Sequence, residues 1–390
     1  MFRAIACTVT IAAGPALAQT PCGGPFRDFV EALSAAAVER GQNPGTVDAF
    51  FDGIRQDQSV LDADRRQGIF QAPFIDFSRR LISSDRLERG RSLGRDYATT
   101  FEAIEAEYGV PRGILLAFWA FETDYGSFQG DYNTANALVT LAHDCRRPEL
   151  FRPQVFAALE LYAQDAFDPD TTTGAWAGEI GMVQMLPEDI LTNGIDADGD
   201  GRVSLKTSPR DALFSGAAML ADLGWRAGEP WLEEVEMPAE FDWYETGLET
   251  RKPASDWAAL GVTARDGEID APDLQASILL PQGKDGPAFL AYPNFPVLFE
   301  WNQSFTYVLT AAYFATRLEG AQIYDAGNPE PGLNGEQMVR LQEALQARGY
   351  DVGGADGILG SGTRAAVRDV QRELGLPADA WPTPELLERL

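Results

Sequence analysis

A carboxyl group set into an apolar stripe is the most chemically suggestive feature of the chain. Ile114, Leu115, Phe118, Phe121, Glu122 and Tyr125 fall at offsets 0, 1, 4, 7, 8 and 11, the spacing of one helix face. Gly109 can end the preceding helix, and Pro111 suits the first turn of the next. Glu122 should therefore point to the core side. No Lys or Arg stands at positions 118, 119, 125 or 126 to neutralise it, so burial should raise its pKa and keep it protonated near neutrality. That is what a general acid needs, although a buried Glu satisfied by structural donors fits the same stripe. A two-carboxylate glycosidase needs a second acid about 5 to 9.5 Å from the first. Asp124 lies two residues on and points off the stripe, so no second carboxylate is expected beside Glu122.

A second cluster is acidic. Asp196, Asp198 and Asp200 stand at positions 1, 3 and 5 of a loop with Gly201 at position 6, as in an EF-hand, and Arg202 follows and is counted with the set. Position 12 is Thr207 rather than Glu. A structural calcium ion is expected; an Asp-Gly turn without metal is the alternative. No cofactor is expected for catalysis. The single histidine, His143, excludes zinc peptidases and amidases that need two or three His ligands, and leaves a Ser or Cys triad only one base.

The elements that must position these residues are mostly helical. The 390 residues allow two or three domains, and their 45% hydrophobic and 23% charged content is that of a globular protein. Arg3, the apolar run Ala4 to Ala13 and Ala16-Leu17-Ala18 form the three-part pattern of a cleavable secretory signal over residues 1–18, with a short buried helix as the alternative. No other segment looks transmembrane. Removing the leader takes away only Arg3, so the net charge moves from -28 to -29, which disfavours nucleic acid as a partner. Of three cysteines, Cys22 and Cys145 would survive cleavage and are expected to pair in an oxidising compartment, unless they are two unrelated thiols.

From Phe26 to about Leu223 apolar residues recur at spacings of three and four. Between Trp225 and Phe299 the character changes, and Ala276 to Pro281 and Ala288 to Tyr292 predict short strands inserted before helical periodicity returns at Phe305 to Leu318. Asp325 to Gly332 reads as a linker. Residues 333–390 carry Val339, Leu341 and Leu345 on one helix, a turn at Asp356-Gly357, and Thr363, Val367, Val370 and Gln371 on a second. This module closely resembles a peptidoglycan-binding type 1 domain.

The segments Gly109-Val110-Pro111 and Phe121-Glu122-Thr123-Asp124-Tyr125-Gly126 resemble the catalytic region of the membrane-bound lytic murein transglycosylase B family. So do Gly174 to Pro187, Tyr292-Pro293-Asn294-Phe295 and Trp301 to Tyr307, and matching motifs run in order from about residue 65 to 320. The resemblance implies a mainly α, lysozyme-like domain over residues 19–324 with small inserted extended elements, a linker at 325–332 and a small three-helix peptidoglycan-binding domain at 333–390. It implies Glu122 as sole acid and base. It also implies Arg146, Arg147, Gln184, Asn302 and Tyr307 as substrate contacts, where an arginine pair alone would mean a solvated face and Tyr307 alone ordinary helix packing. Asp211 would close the calcium loop in place of an acid at position 12. Two positions depart from the family: Ala175 stands where a Ser often bonds the catalytic Glu, and Glu179 replaces a small residue.

The activity implied is cleavage of the β-1,4 bond between N-acetylmuramic acid and N-acetylglucosamine with a 1,6-anhydro product. The alternatives are a muramidase-type hydrolase or a non-catalytic wall-binding protein. The partners implied are peptidoglycan strands, with cell-wall synthesis or division proteins as candidates, and the location implied is the periplasm.

Overall fold

The computed structural model describes residues 22–65 and 72–390. The leader expected over residues 1–18 and Cys7 lie outside the described residues. Among the described residues, six helices precede the Glu122 segment: α1 (Phe26–Glu39), α2 (Pro44–Phe51), α3 (Gln58–Arg65), α4 (Phe74–Leu81), α5 (Ser84–Asp96) and α6 (Ala98–Tyr108). Next come α7 (Arg112–Thr123), α8 (Thr134–His143), α9 (Pro148–Ala163), α10 (Pro187–Asn193) and α11 (Pro209–Asp222). Two short strands, β1 (Tyr132–Asn133) and β2 (Thr173–Gly174), pair antiparallel between them.

Helix α7 is the hub. Gly109 caps α6 with a left-handed φ of 67°, as its sequence position suggests. Pro111 sits just outside α7 rather than in its first turn, because its ψ of 149° is extended. The apolar stripe proves too narrow a description, since Leu116, Ala117, Trp119 and Ala120 on the other faces are buried as well. The cause is a ring of neighbours, α5, α6, α11 and α14 (Phe305–Leu318), around the helix. Gly113 allows the closest approach: a Cβ there would come 2.8 Å from the main-chain oxygen of Ala315. Tyr125 is not on the helix at all. Asp124 and Tyr125 both take left-handed φ values, 48° and 57°, and end it, so the burial of Tyr125 arises from the turn rather than from helical spacing.

The insertion is a five-stranded antiparallel sheet of order β4-β6-β7-β3-β5, built from β3 (Leu232–Glu236), β4 (Lys252–Pro253), β5 (Thr263–Ala264), β6 (Gln275–Leu279) and β7 (Ala288–Ala291), with α12 (Ala254–Ala259) packed on it. The two strands expected from sequence are its centre, with Ser277 opposite Ala291. They read as continuous apolar runs because both faces are covered. Leu279 and Phe289 join the helical core, while Ile278 and Leu290 pack with Trp257 in a separate cluster. Helix α13 (Asn294–Trp301) then returns the chain to α14.

The C-terminal module has three helices, α15 (Gly335–Ala347), α16 (Ser361–Glu373) and α17 (Pro384–Glu388), around Leu341, Leu345, Val367, Val370 and Leu386. Its connection differs from the free linker the composition suggested. The Asp325 amide donates to Glu234 and the Asn328 amide to the carbonyl of Asp285, and Gly327 packs so tightly that a Cβ would lie 2.1 Å from that carbonyl oxygen. The module itself is bonded to the insertion: Arg364 donates to the carbonyl of Pro281 at 2.9 Å, Arg368 to that of Thr246, and Tyr244 to Asp369 at 2.9 Å.

Candidate active site

Glu122 lies in the last turn of α7, and its Oε1 accepts two hydrogen bonds from the α13–α14 region. The Tyr307 hydroxyl donates at 2.5 Å and the Trp301 indole N–H at 3.3 Å. Each donor is itself fixed. Tyr307 lies in the first turn of α14, whose N-cap Ser304 accepts its amide proton, and Trp301 stacks on Phe118 of α7 with ring centroids 4.3 Å apart. One carboxylate oxygen is thereby pinned by groups that arrive about 180 residues later in the chain.

Burial pushes the Glu122 carboxyl up from its usual 4.5 to about 7; the Tyr307 bond pulls it down, the nearby Glu179 carboxylate pushes it up, and the Trp301 bond pulls it down. At neutral pH the group therefore holds a proton part of the time. Tyr307 is held far above its ordinary value by burial and then by Glu122, so it is a donor and not a base.

A cavity of about 360 Å³ opens beside Glu122 and is lined by Trp176, Glu179, Gln184, Trp301 and Asn302, among others. The loop between β2 and α10 shapes one wall. The Ala175 amide donates to the carbonyl of Glu179, the Gly178 amide returns to Ala175, and Ile180 pairs with Met185 in both directions. Glycines make this possible: Gly174 faces the Glu179 oxygen, where a Cβ would sit at 2.0 Å, and Gly178 (φ +94°) lies where a Cβ would meet Leu138 at 2.2 Å. Gln184 takes a left-handed φ of 53° and ties its side chain to the carbonyl of Gly181 at 2.7 Å, turning the loop under the cavity. The Asn302 side chain accepts the Ser304 amide and so orders the turn between the two donors of Glu122.

One sequence expectation needs correction. A second carboxylate does stand beside Glu122: Glu179, with Asp189 on the same cavity. Only Asp124 was near enough in sequence to be weighed, and it turns away to ion-pair with Arg86 at 3.1 Å and Arg89 at 3.4 Å. Arg146 and Arg147 do not line this cavity. Both bond Asp64, which is 3% exposed, and Arg147 reaches the Glu179 side through its charge. In the acidic loop, Asp196, Asp198 and Asp211 bring one carboxylate oxygen each within 4.8 Å of one another. Asp200 accepts the amide of Arg202 at 2.9 Å.

Trp301, Glu179 and Asp64 are the residues whose parts sequence reasoning missed. The signal for Trp301 was its place at the head of the late motif, and for Glu179 its departure from a small residue; Asp64, more than 80 positions from its arginines, gave none. Cys22 and Cys145 are joined by a disulfide, with Cα atoms 5.2 Å apart, which ties the start of the described chain to the segment just before the two arginines.

Residues 25–316 match the transglycosylase SLT domain family, and residues 334–390 match a peptidoglycan binding domain. SltB3 of Pseudomonas aeruginosa, solved in complex with NAG-anhNAM-pentapeptide, superposes with a TM-score of 0.86 and 36% identity, covering 94% of this chain and 99% of that one. Membrane-bound lytic murein transglycosylase B of Escherichia coli is 26% identical over 238 residues, which span 60% of this chain and 64% of that protein. The Escherichia coli lytic transglycosylase Slt35, solved in complex with calcium, shares the fold with a TM-score of 0.64 at 23% identity, over 79% of this chain and 98% of that one. An α-helical domain that carries an inserted sheet and closes a pinned, proton-holding glutamate into a cavity is thus found where the sequence match also lies, and the chain belongs to the transglycosylase SLT domain family.

Proposed function

We propose that this chain is a lytic transglycosylase of peptidoglycan, with Glu122 as its one proton-transfer residue. The observation that carries the reading is the state of Glu122: a carboxyl raised to about 7, held by Tyr307 and Trp301 on one oxygen, at the edge of a cavity. As the acid it protonates the oxygen between N-acetylmuramic acid and N-acetylglucosamine. The C1–O bond breaks and the N-acetylglucosamine leaves with that proton as its 4-hydroxyl, while the carboxylate left behind accepts the proton of the muramyl C6 hydroxyl, whose oxygen bonds to C1 and closes a 1,6-anhydro ring. Tyr307 and Trp301 stabilise the carboxylate formed midway and hold it in place.

Gln184 and Asn302 line the cavity and serve as glycan contacts, and Arg146 and Arg147 lie outside it as contacts for a longer ligand. The C-terminal module adds wall affinity. Export by a leader at residues 1–18 places the chain in the periplasm, in keeping with its substrate; among the described residues no helix is long and apolar enough to cross a membrane. Asp196, Asp198 and Asp211 offer the hard oxygen ligands that calcium takes, with Asp211 fully buried and locked by the amides of Ala197, Asp198 and Ser204.

Mass spectrometry of purified peptidoglycan digests tests the reaction. Anhydro ends are expected from the wild type and almost none from Glu122→Gln. Reducing-end muramic acid as the main product would favour the second reading, a hydrolase, which the presence of Glu179 in the cavity keeps in play.

A further inference from the structure

Glu179 replaces a small residue, yet the structure gives it a defined place. Its Oε2 is buried without a hydrogen-bond partner, while amides of its own residue and of Ala177 serve the carboxylate. Its backbone is clamped by the Gly174 and Gly178 contacts, so the side chain is set by the loop rather than left to wander. It lines the same cavity as Glu122 and acts on it as a like charge. A buried carboxylate oxygen with no partner costs stability, and such a cost persists where the group has a task.

We infer that Glu179 is a positioning residue for the reaction: a second carboxylate facing the same cavity that keeps the transferable proton on Glu122 and so sets the upper pH limit of cutting. The inference rests on the reading of Glu122 as the proton donor. Two interacting carboxyls that line one cavity lose their protons in two steps, and the second step is delayed by the charge left by the first. Burial raises Glu179 as well, against the pull of Arg147.

The other groups that bear on this pair are few. Tyr307 comes from α14, with Arg86 of α5 behind it, Asp189 comes from α10, and Glu300 stands on α13 at the exposed rim. Asp189 is itself raised by burial, and it is Glu179, not Asp189, whose charge bears on Glu122. Arg147 faces Glu179 rather than Glu122 and is shared with Asp64. Removal of Glu179 therefore takes away the like charge named for Glu122 and leaves its two donors in place.

The test is the pH profile of anhydro-product formation from purified murein by the full chain, with Glu179→Gln, Glu179→Ala and Glu179→Asp beside the wild type, each checked for an unaltered circular dichroism spectrum. Glu179→Gln keeps the shape and removes the charge. Its alkaline limb should move to lower pH, so that the ratio of activity at pH 8 to that at pH 6 falls roughly three- to tenfold, with little change at the acid plateau. Glu179→Ala should do the same, and Glu179→Asp should restore the limb. Should Glu179→Gln fail to fold, Glu179→Ala carries the comparison.

Profiles that overlay in folded variants overturn the inference. So does a wild type whose reducing-end product disappears in Glu179→Gln, since that makes Glu179 a base for water. A wild type that forms no anhydro product at all instead overturns the assignment of Glu122, and the product masses separate the two failures.

Discussion

At the scale of single residues, the site is a balance of forces on one proton. Tyr307 and Trp301 pull the Glu122 pKa down while burial and Glu179 push it up, so substitutions should move activity limbs in opposite directions. Tyr307→Phe removes the donor that favours the carboxylate; its alkaline limb should move to higher pH, opposite to that of Glu179→Gln, with a lower maximum rate because the carboxyl is less well held. Glu122→Gln should cost about 10² to 10⁴ in rate, measured as anhydro ends released. Its effect on stability has a sign of its own. A carboxyl raised from 4.5 to about 7 contributes nothing unfavourable while protonated in both states, and destabilises the fold increasingly as pH rises from about 4.5 through 7. Glu122→Gln should therefore raise the thermal midpoint more at pH 8 than at pH 5; equal gains would show that the carboxyl is not strained by burial. Glu122 was legible in the sequence because a helix repeats on a short period. Its donors were not legible from spacing, being held by tertiary packing of α13 and α14 on α7.

At the scale of elements, the loop from β2 to α10 matters most, because its glycines decide where Glu179 and Gln184 stand. Gly178→Ala forces a side chain into Leu138 at a φ of +94°, and should cost about 2 to 4 kcal/mol while weakening glycan binding. A thermal midpoint within 1 °C of the wild type (roughly 0.5 kcal/mol or less) would contradict that packing. The acidic loop makes a separate forecast. Calcium at millimolar order should raise the midpoint and chelator lower it, through Asp196, Asp198 and Asp211, since a ligand of the folded state stabilises by mass action. Asp211→Asn should abolish the difference, read by thermal denaturation. The loop was recognisable from its alternating aspartates, but which acids converge was set by α11, whose first turn brings Asp211 under the loop. Periodicity likewise showed α7 while understating its burial, since one stripe cannot announce neighbours on the other faces.

At the scale of the whole molecule, two couplings hold distant parts together. The Cys22–Cys145 disulfide spans 123 residues, and Cys22→Ser should lower stability by about 2 to 5 kcal/mol, measured by denaturant unfolding. The second coupling is the seam between the module and the inserted sheet. Deleting residues 333–390 should reduce sedimentation with insoluble murein. Because Arg364 also lies over Phe305, 4.8 Å from its ring, the deletion should lower the thermal midpoint of what remains too, which a passive tether would not predict. Composition marked Asp325 to Gly332 as a linker. It could not show that the linker is fastened, since the fasteners are amides and carbonyls available to any sequence.

That fastening has a geometric consequence. A binding module on a loose tether lets its enzyme cut anywhere within reach, so the lengths of the fragments it leaves are broad. Here the chain is gripped at Glu234 and Asp285 and the module at Pro281, Thr246 and Tyr244. The span between the module and the carboxyl of Glu122 is then set by these contacts, not by the length of a tether.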